Sequence, residues 1–180
     1  MRGNLGKAIA CFGKLGIKPD LHSFQSKLIM QKTVYLLQAM GVKMGYQYGW
    51  YVRGNYSPDL TKDLYENKDA FGRLSESEAL SQKESKAIEE FLEEMGGRPD
   101  PAVLEIAAAY AYFFKQYSDV KQAIVKTKEA KPFFSELQFV QGINRAKALV
   151  YKPTEEELKR LKAEMAPWEA ASDETWRKMV

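Results

Sequence analysis

The middle of the N-terminal half reads KLIMQKTVYLLQAMG at residues 27–41, with apolar residues on nearly every side of a helical wheel. A helix that is apolar all round is buried, so this pattern predicts a central helix over residues 21–40. Its polar exceptions Lys27, Gln31 and Gln38 lie within roughly 40° of one another on that wheel. Such a polar stripe either satisfies buried backbone groups or lines a binding site, and the sequence leaves both alternatives open.

A strand and a capped helix are predicted directly after the central helix. Aromatic and β-branched residues alternate over residues 46–53, which predicts a strand, and residues 53–55 have the composition of a turn. Ser57 is the predicted N-cap of a helix over residues 58–66, which begins with proline. Because a lone strand is not stable, we expect a pairing partner at residues 70–74. This arrangement is compatible with the small β element of a winged-helix-like unit.

Helical patterns cover most of the remaining chain, and the segment that begins at Pro101 is again apolar on most sides, which predicts a second central helix. The fold class is therefore mainly α, a compact helical domain with a small β element. We predict that this domain spans residues 1–152 and that residues 153–180 form a C-terminal helical tail. The other predicted helices cover residues 4–15, 82–95, 101–117, 118–130 and 132–150, with a capping box from Thr154 to Glu157 at the start of the tail.

The predicted tail helix is apolar on one face. Leu158, Leu161 and Met165 lie near that face, and Trp168 and Trp176 follow. Two tryptophans in so short a segment are a large apolar surface to leave in water. We therefore expect the tail to pack either on its own domain or on a partner, which includes a second copy of the chain.

Charge is distributed unevenly along the chain, although the net charge is only +3. Residues 1–57 contain eight Lys or Arg and a single acid, Asp20, whereas residues 58–100 contain six bases and twelve acids. The basic segment is suited to a phosphate backbone or to an acidic partner protein. Alternatively, it packs against the acidic segment within one fold.

The composition argues against several kinds of chemistry. With one cysteine, Cys11, and one histidine, His22, the chain lacks both an internal disulfide and a His/Cys metal-ligand set. His22 adjoins a predicted helix start, where a capping or surface role is expected. Phosphate-binding glycine loops and the common hydrolase and kinase motifs are missing from the sequence. We predict a non-enzymatic protein without catalytic residues, metal or cofactor. The chain has neither an apolar run of membrane-spanning length nor an export signal, so a cytoplasmic location is expected.

Two stretches resemble a known family. KLIMQKTVYLLQAMG, followed by YGWYVRGNYSPDLTKDLY at residues 48–65, is similar to the signature of the YwgA-like proteins and of the related Panacea domain family of SocA-like antitoxins. LEIAAAYAYFFKQYSDVKQAIVKTKEAKPFFSELQ, at residues 104–138, resembles the YwgA-like helical segment that ends in K-P-x-F-S. The resemblance covers about residues 24–150. One departure is Gly54-Asn55, where the family typically has Gly-Pro.

The resemblance implies a small regulator that binds another protein, often a toxin, and carries out no reaction. With the polar stripe and the turn, it gives six candidate partner-binding residues, which are Lys27, Gln31, Lys32, Arg53, Asn55 and Tyr56. We therefore predict a regulatory or protein-interaction module of antitoxin or adaptor type, whose partner is a toxin, an effector or a second copy of the chain. The alternative is a winged-helix-like transcriptional regulator that binds nucleic acid through the basic N-terminal segment. The matching family positions are Lys27, Gln31, Lys32, Tyr35, Tyr51, Gly54, Tyr56, Ser57 and Pro58.

Overall fold

The protein is mainly helical, with one small antiparallel sheet, as the sequence predicts. The computed structural model describes residues 3–97, 100–151 and 154–179, except the side chains of 75–77 and 168–179. In chain order the elements are α1 (Leu5–Lys14), α2 (Phe24–Ala39), β1 (Gly49–Tyr51), β2 (Gly54–Tyr56), α3 (Pro58–Glu66), a 3-10 turn (Lys68–Ala70), α4 (Phe71–Ser77), α5 (Gln82–Met95), α6 (Pro101–Tyr117), α7 (Val120–Ala130), α8 (Glu136–Val150) and α9 (Glu155–Met179).

The two predicted central helices are α2 and α6, and they pack against each other. Leu36 of α2 and Ile106 of α6 are completely buried. Helix α6 also packs against α7 and α8. A Cβ atom added to Gly142 of α8 would lie 2.6 Å from Ile106 Cβ, so the close approach of α6 and α8 requires glycine there.

Side-chain caps set several helix starts later than predicted. Helix α2 begins at Phe24 because Ser23 Oγ accepts a hydrogen bond from the Ser26 N–H. Helix α7 begins after Asp119, whose carboxylate accepts from the Gln122 N–H. Helix α8 begins at Glu136 and not at Pro132, because Ser135 and Gln138 form a reciprocal capping pair.

The predicted pairing of the strand is wrong. Strand β1 is shorter than predicted and pairs with β2, which follows after only two residues, with Trp50 opposite Asn55. Residues 70–74 are helical and pair with nothing in the sheet. The turn lies one residue earlier than expected, and Gly54 just after it has a φ of +106°, which glycine adopts without strain. Tyr46, at the start of the predicted strand, bonds through its backbone N–H and carbonyl to the side chain of Gln38.

The chain divides into two compact units, residues 1–150 and 151–180. The second unit contains α9, and its predicted capping box is confirmed, because Thr154 Oγ1 accepts from the Glu157 N–H while Glu157 Oε2 accepts from the Thr154 N–H. Packing of the tail on its own domain or on a partner stays a prediction, and the side chains of Trp168 and Trp176 lie outside the described residues. Within the described ranges, every helix is too short or too polar to cross a membrane.

Candidate functional site

A cavity of about 530 Å³ lies where α2, the β1–β2 hairpin and α3 meet. Its lining comes from residues between 21 and 65, and we refer to it as the groove. The structure brings all six predicted candidates together here, since Lys27, Gln31, Lys32, Arg53, Asn55 and Tyr56 all line the groove. This volume lies within the range typical of ligand pockets.

Exposed apolar side chains surround the opening of the groove. Phe24, Tyr51, Val52 and Tyr65, which we term the rim, all line the groove and are each at least 47% exposed. Single exposed apolar residues are common on protein surfaces, but a group around one cavity is typical of an interaction site. Sequence reasoning missed most of the rim, because Phe24 lies within the helix that is predicted to be buried, and neither Val52 nor Tyr65 stands out by residue type.

Two of the predicted partner-binding residues, Arg53 and Lys27, are positively charged and contact the rim. The Arg53 guanidinium carbon lies 4.9 Å from the centre of the Phe24 ring, a cation–π contact. Lys27 Nζ donates a hydrogen bond to the Tyr65 hydroxyl, with a donor–acceptor distance of 3.4 Å. Arg53 is exposed, and Lys27 is half-buried. The opening of the groove therefore combines apolar surface with positive charge.

Gln31 has a structural role in this arrangement. Its Nε2 donates to the Ser57 carbonyl and to Thr61 Oγ1, each over 2.9 Å, and its Oε1 accepts from the Ser57 N–H at 3.0 Å. Gln31 therefore satisfies buried backbone groups, the first of the two roles left open for the polar stripe, and it also lines the groove. It fixes the start of α3, and hence one wall of the groove, against α2.

We expect Gln31→Ala to lower the free energy of unfolding by about 2–3 kcal/mol, because it leaves the buried N–H and C=O of Ser57 without their side-chain partner. The measurement is urea unfolding followed by circular dichroism. Gln25→Ala is the matched control, since Gln25 is an exposed residue of the same helix. Equal midpoints for the two variants would contradict the structural role of Gln31.

A second layer of charged groups is buried behind the hairpin. Lys32 Nζ donates to the backbone carbonyl of Asn55 at 2.7 Å and to its Oδ1 at 3.0 Å, and these two residues are 5% and 1% exposed. Lys131 Nζ donates to the Arg53 carbonyl at 3.0 Å and to Glu105 Oε1 at 2.5 Å. We call Lys32, Lys131 and Glu105 the lysine cluster.

The two ammonium groups of the lysine cluster lie against Gly54. A Cβ atom there would lie 3.3 Å from Lys131 Nζ and 3.4 Å from Lys32 Nζ, so both ammonium groups are on the side of the backbone where a side chain would project. Burial lowers the pKa of Lys32 to about 8, although the Glu105 carboxylate opposes this shift, and the charge of Lys131 adds to it. Sequence reasoning missed Lys131 and Glu105. A signal existed for Glu105, which is an acid within a helix that is otherwise apolar on most sides.

The aromatic residues that precede and begin the hairpin belong mainly to the core. Tyr35 is buried, with its ring centre 5.0 Å from that of Tyr48, and the Tyr48 hydroxyl donates to the Gln31 carbonyl. The centre of the Trp50 ring lies 4.5 Å from the centre of the Phe113 ring on α6. These contacts attach the hairpin to the two central helices.

Cys11 and His22, which sequence reasoning considered for metal or thiol chemistry, do not line the groove. Cys11 is buried, and burial raises the pKa of its thiol to about 12, so the thiol is not ionised at neutral pH. His22 is exposed and its backbone N–H donates to Asp20. Over the described residues, no three His, Cys, Asp or Glu side chains are grouped as a metal site would need.

Comparison of the chain with protein-family models, with curated proteins and with solved structures found no match.

Proposed function

We propose that the chain is a protein-interaction module of adaptor or antitoxin type and that the groove is its binding surface. The observation that carries this proposal is the rim, in which four exposed apolar side chains surround one cavity. The resemblance to YwgA-like and Panacea proteins, whose matching positions include groove residues, implies the same class of function.

The residue types of the groove support a protein partner. Aromatic residues and arginine are the commonest energetic anchors in protein interfaces. Phe24, Tyr51 and Arg53 supply both kinds of residue at the opening of the groove. The positive charges of Lys27 and Arg53 complement an acidic surface. The proposed occupant is therefore a segment of another protein that carries apolar side chains together with acidic ones.

Site-specific photo-crosslinking in the host tests this proposal. Val52 is fully exposed and lies at the tip of the hairpin, so a photoreactive residue there should trap the partner. A photoreactive residue at Val125 of α7, which is also exposed and does not line the groove, is the control. We expect one defined adduct from position 52, absent from position 125. The same adducts from both positions, or none from position 52, would refute the groove as the binding surface.

Tyr51→Ala should weaken partner binding about tenfold or more, since truncation of an aromatic anchor typically costs at least 1–2 kcal/mol. Stability should change little, because half of the Tyr51 side chain is already in solvent. Tyr117→Ala provides the comparison, as Tyr117 is similarly exposed at the end of α6 and does not line the groove. The affinity of each variant for the crosslinked partner is measured by isothermal titration calorimetry. Equal affinities of the two variants would exclude Tyr51 as an anchor.

The nucleic-acid alternative rests on the basic N-terminal segment. Some of its bases are used within the protein, since Lys7 Nζ lies 2.7 Å from Glu84 Oε1 and Lys32 is buried. Lys14, Lys18 and Lys43 are exposed. A salt titration with random duplex DNA tests this alternative, because phosphate contacts make affinity fall steeply with salt. Failure to bind DNA at about 50 mM salt would eliminate it.

A further inference from the structure

In the buried lining of the groove, one N–H of Lys32 and the side-chain amide of Asn55 have no acceptor among the described residues. The Lys32 ammonium has three N–H groups, and the two acceptors that it contacts are both on Asn55. The Asn55 Nδ2 amide is buried and has no hydrogen-bond partner among the described residues. Leaving buried donors unsatisfied costs free energy, and native proteins usually avoid it. The two neighbouring donors therefore point to an acceptor that comes from outside the chain.

The charges of the lysine cluster indicate which kind of acceptor this is. The cluster holds two ammonium groups and one carboxylate, and that carboxylate is hydrogen-bonded to Lys131. The hydrogen bonds that Lys32 makes are to neutral groups of Asn55. A buried ammonium is normally paired with an anion, because its desolvation is otherwise uncompensated. A negatively charged acceptor would balance the surplus positive charge.

The spacing of the donors fits one carboxylate. Asn55 Oδ1 and Nδ2 belong to one planar amide, so Nδ2 lies within about 5.3 Å of Lys32 Nζ. One carboxylate can accept from both donors, each through a different oxygen. Around them the walls of the groove are apolar, with Leu28 on α2 and Leu64 on α3.

Granted the proposed function, we infer that the partner inserts an acidic side chain into the groove and that its carboxylate accepts hydrogen bonds from Lys32 Nζ and Asn55 Nδ2. The rim has apolar residues on both sides of the opening, Phe24 and Tyr65 from the helices and Tyr51 and Val52 from the hairpin. The acidic residue therefore has apolar neighbours on both sides in the partner sequence. This distinguishes it from the carboxylate at a chain end.

A matched pair of small probes tests recognition of the carboxylate. We would titrate 3-phenylpropionate and its neutral counterpart 3-phenylpropionamide into the ¹⁵N-labelled full chain and follow the Gly54 amide and the Asn55 side-chain amide by NMR. The acid should bind at least about tenfold more tightly than the amide, as expected for hydrogen bonds to a charged group. Equal binding of acid and amide would overturn the inference and still leave the groove as an apolar binding surface. Absence of shifts at both signals would also overturn it.

Substitutions test whether the preference for the acid over the amide depends on the two donors, Lys32 Nζ and Asn55 Nδ2. Asn55→Asp keeps the acceptor for Lys32 but replaces the free donor by a negative charge, so it should fold and lose the preference for the acid. Lys32→Met should lose the preference as well. Lys43→Met, on an exposed residue outside the groove, should retain it. A preference that persists in both groove variants would show that other residues bind the carboxylate.

A second pair of probes distinguishes a side chain from a chain end. The peptide acetyl-Phe-Glu-Phe-amide carries its carboxylate on the side chain, whereas acetyl-Phe-Gln-Phe with a free terminus carries it at the end. Only the first peptide should shift the Asn55 side-chain signal. If only the second does so, the inference of an acidic side chain is wrong. Crosslinking from Val52 does not depend on either result, so the proposed function is tested separately.

Discussion

Glu105→Gln should lower the free energy of unfolding by about 3–5 kcal/mol at neutral pH, as expected when one partner of a buried ion pair loses its charge. Glutamine has nearly the same shape and can still accept a hydrogen bond from Lys131. The loss of stability therefore measures the effect of the negative charge. In the variant, two buried ammonium groups remain without the carboxylate that lies 2.5 Å from Lys131 Nζ. Urea unfolding of the wild type and the variant gives the difference.

Glu129→Gln is the control for this experiment. Glu129 also lies close to a lysine, with 2.7 Å between its Oε2 and Lys126 Nζ, but both side chains are largely exposed. Exposed ion pairs contribute little to stability, so the control should be close to wild type. If Glu105→Gln lowers the free energy of unfolding as little as Glu129→Gln does, the lysine cluster is not a buried charged site in solution.

The stability of the wild type should also depend on pH through Lys32. Its pKa is about 8 in the folded protein, below the ordinary value of 10.5, because burial disfavours the charged form. Between these two values the unfolded chain holds a proton that the folded protein has released, so stability rises with pH. Below pH 8 both states are protonated and this stabilisation is absent.

Comparison with Lys32→Met isolates that effect. The difference in unfolding free energy between wild type and variant should shift in favour of the wild type as the pH rises from about 7 to about 9.5, before tyrosines ionise. The nearby charged groups, Glu105 and Lys131, are present in both proteins. A difference that stays constant with pH would mean that Lys32 titrates at its ordinary pKa.

The second large effect is expected in the core. Leu36→Ala should destabilise the protein by about 3 kcal/mol, because Leu36 is completely buried between packed helices and its truncation leaves a cavity. Leu137→Ala, on an exposed residue of α8, should cost less than about 1 kcal/mol. Chemical denaturation of both variants measures the contrast. A small loss for Leu36→Ala would place α2 outside the core.

The helices were predictable because their signals are local. Ser57 and Pro58 are residue types that favour a helix start, and α3 begins there. The predicted span of α5 is also the observed one. The strand partner was not predictable in the same way. Aromatic alternation indicated a long strand, but the strand-like segment at Tyr46 is bonded by a glutamine side chain, and the strand pairing begins only at Gly49.

The groove was only partly predictable. The resemblance, the polar stripe and the turn identified six of the residues that line it, between Lys27 and Tyr56, because they fall in two short stretches of sequence. The roles of individual residues depended on distant contacts. Lys131 bonds to a carbonyl 78 residues away, which neither periodicity nor residue type indicates. Exposure of Phe24 likewise depends on where the hairpin and α3 are placed around α2.

The lysine contacts to the hairpin also affect how this sheet can associate with other chains. Both strands of a two-stranded sheet are edge strands, and an edge with free carbonyl groups can recruit a further strand and lead to aggregation. Asn55 is opposite Trp50 in the ladder, and its carbonyl accepts from Lys32, while the Arg53 carbonyl accepts from Lys131. A strand arriving at β2 would have to displace the buried Lys32 ammonium from the Asn55 carbonyl. Strand addition at the β2 edge is therefore hindered.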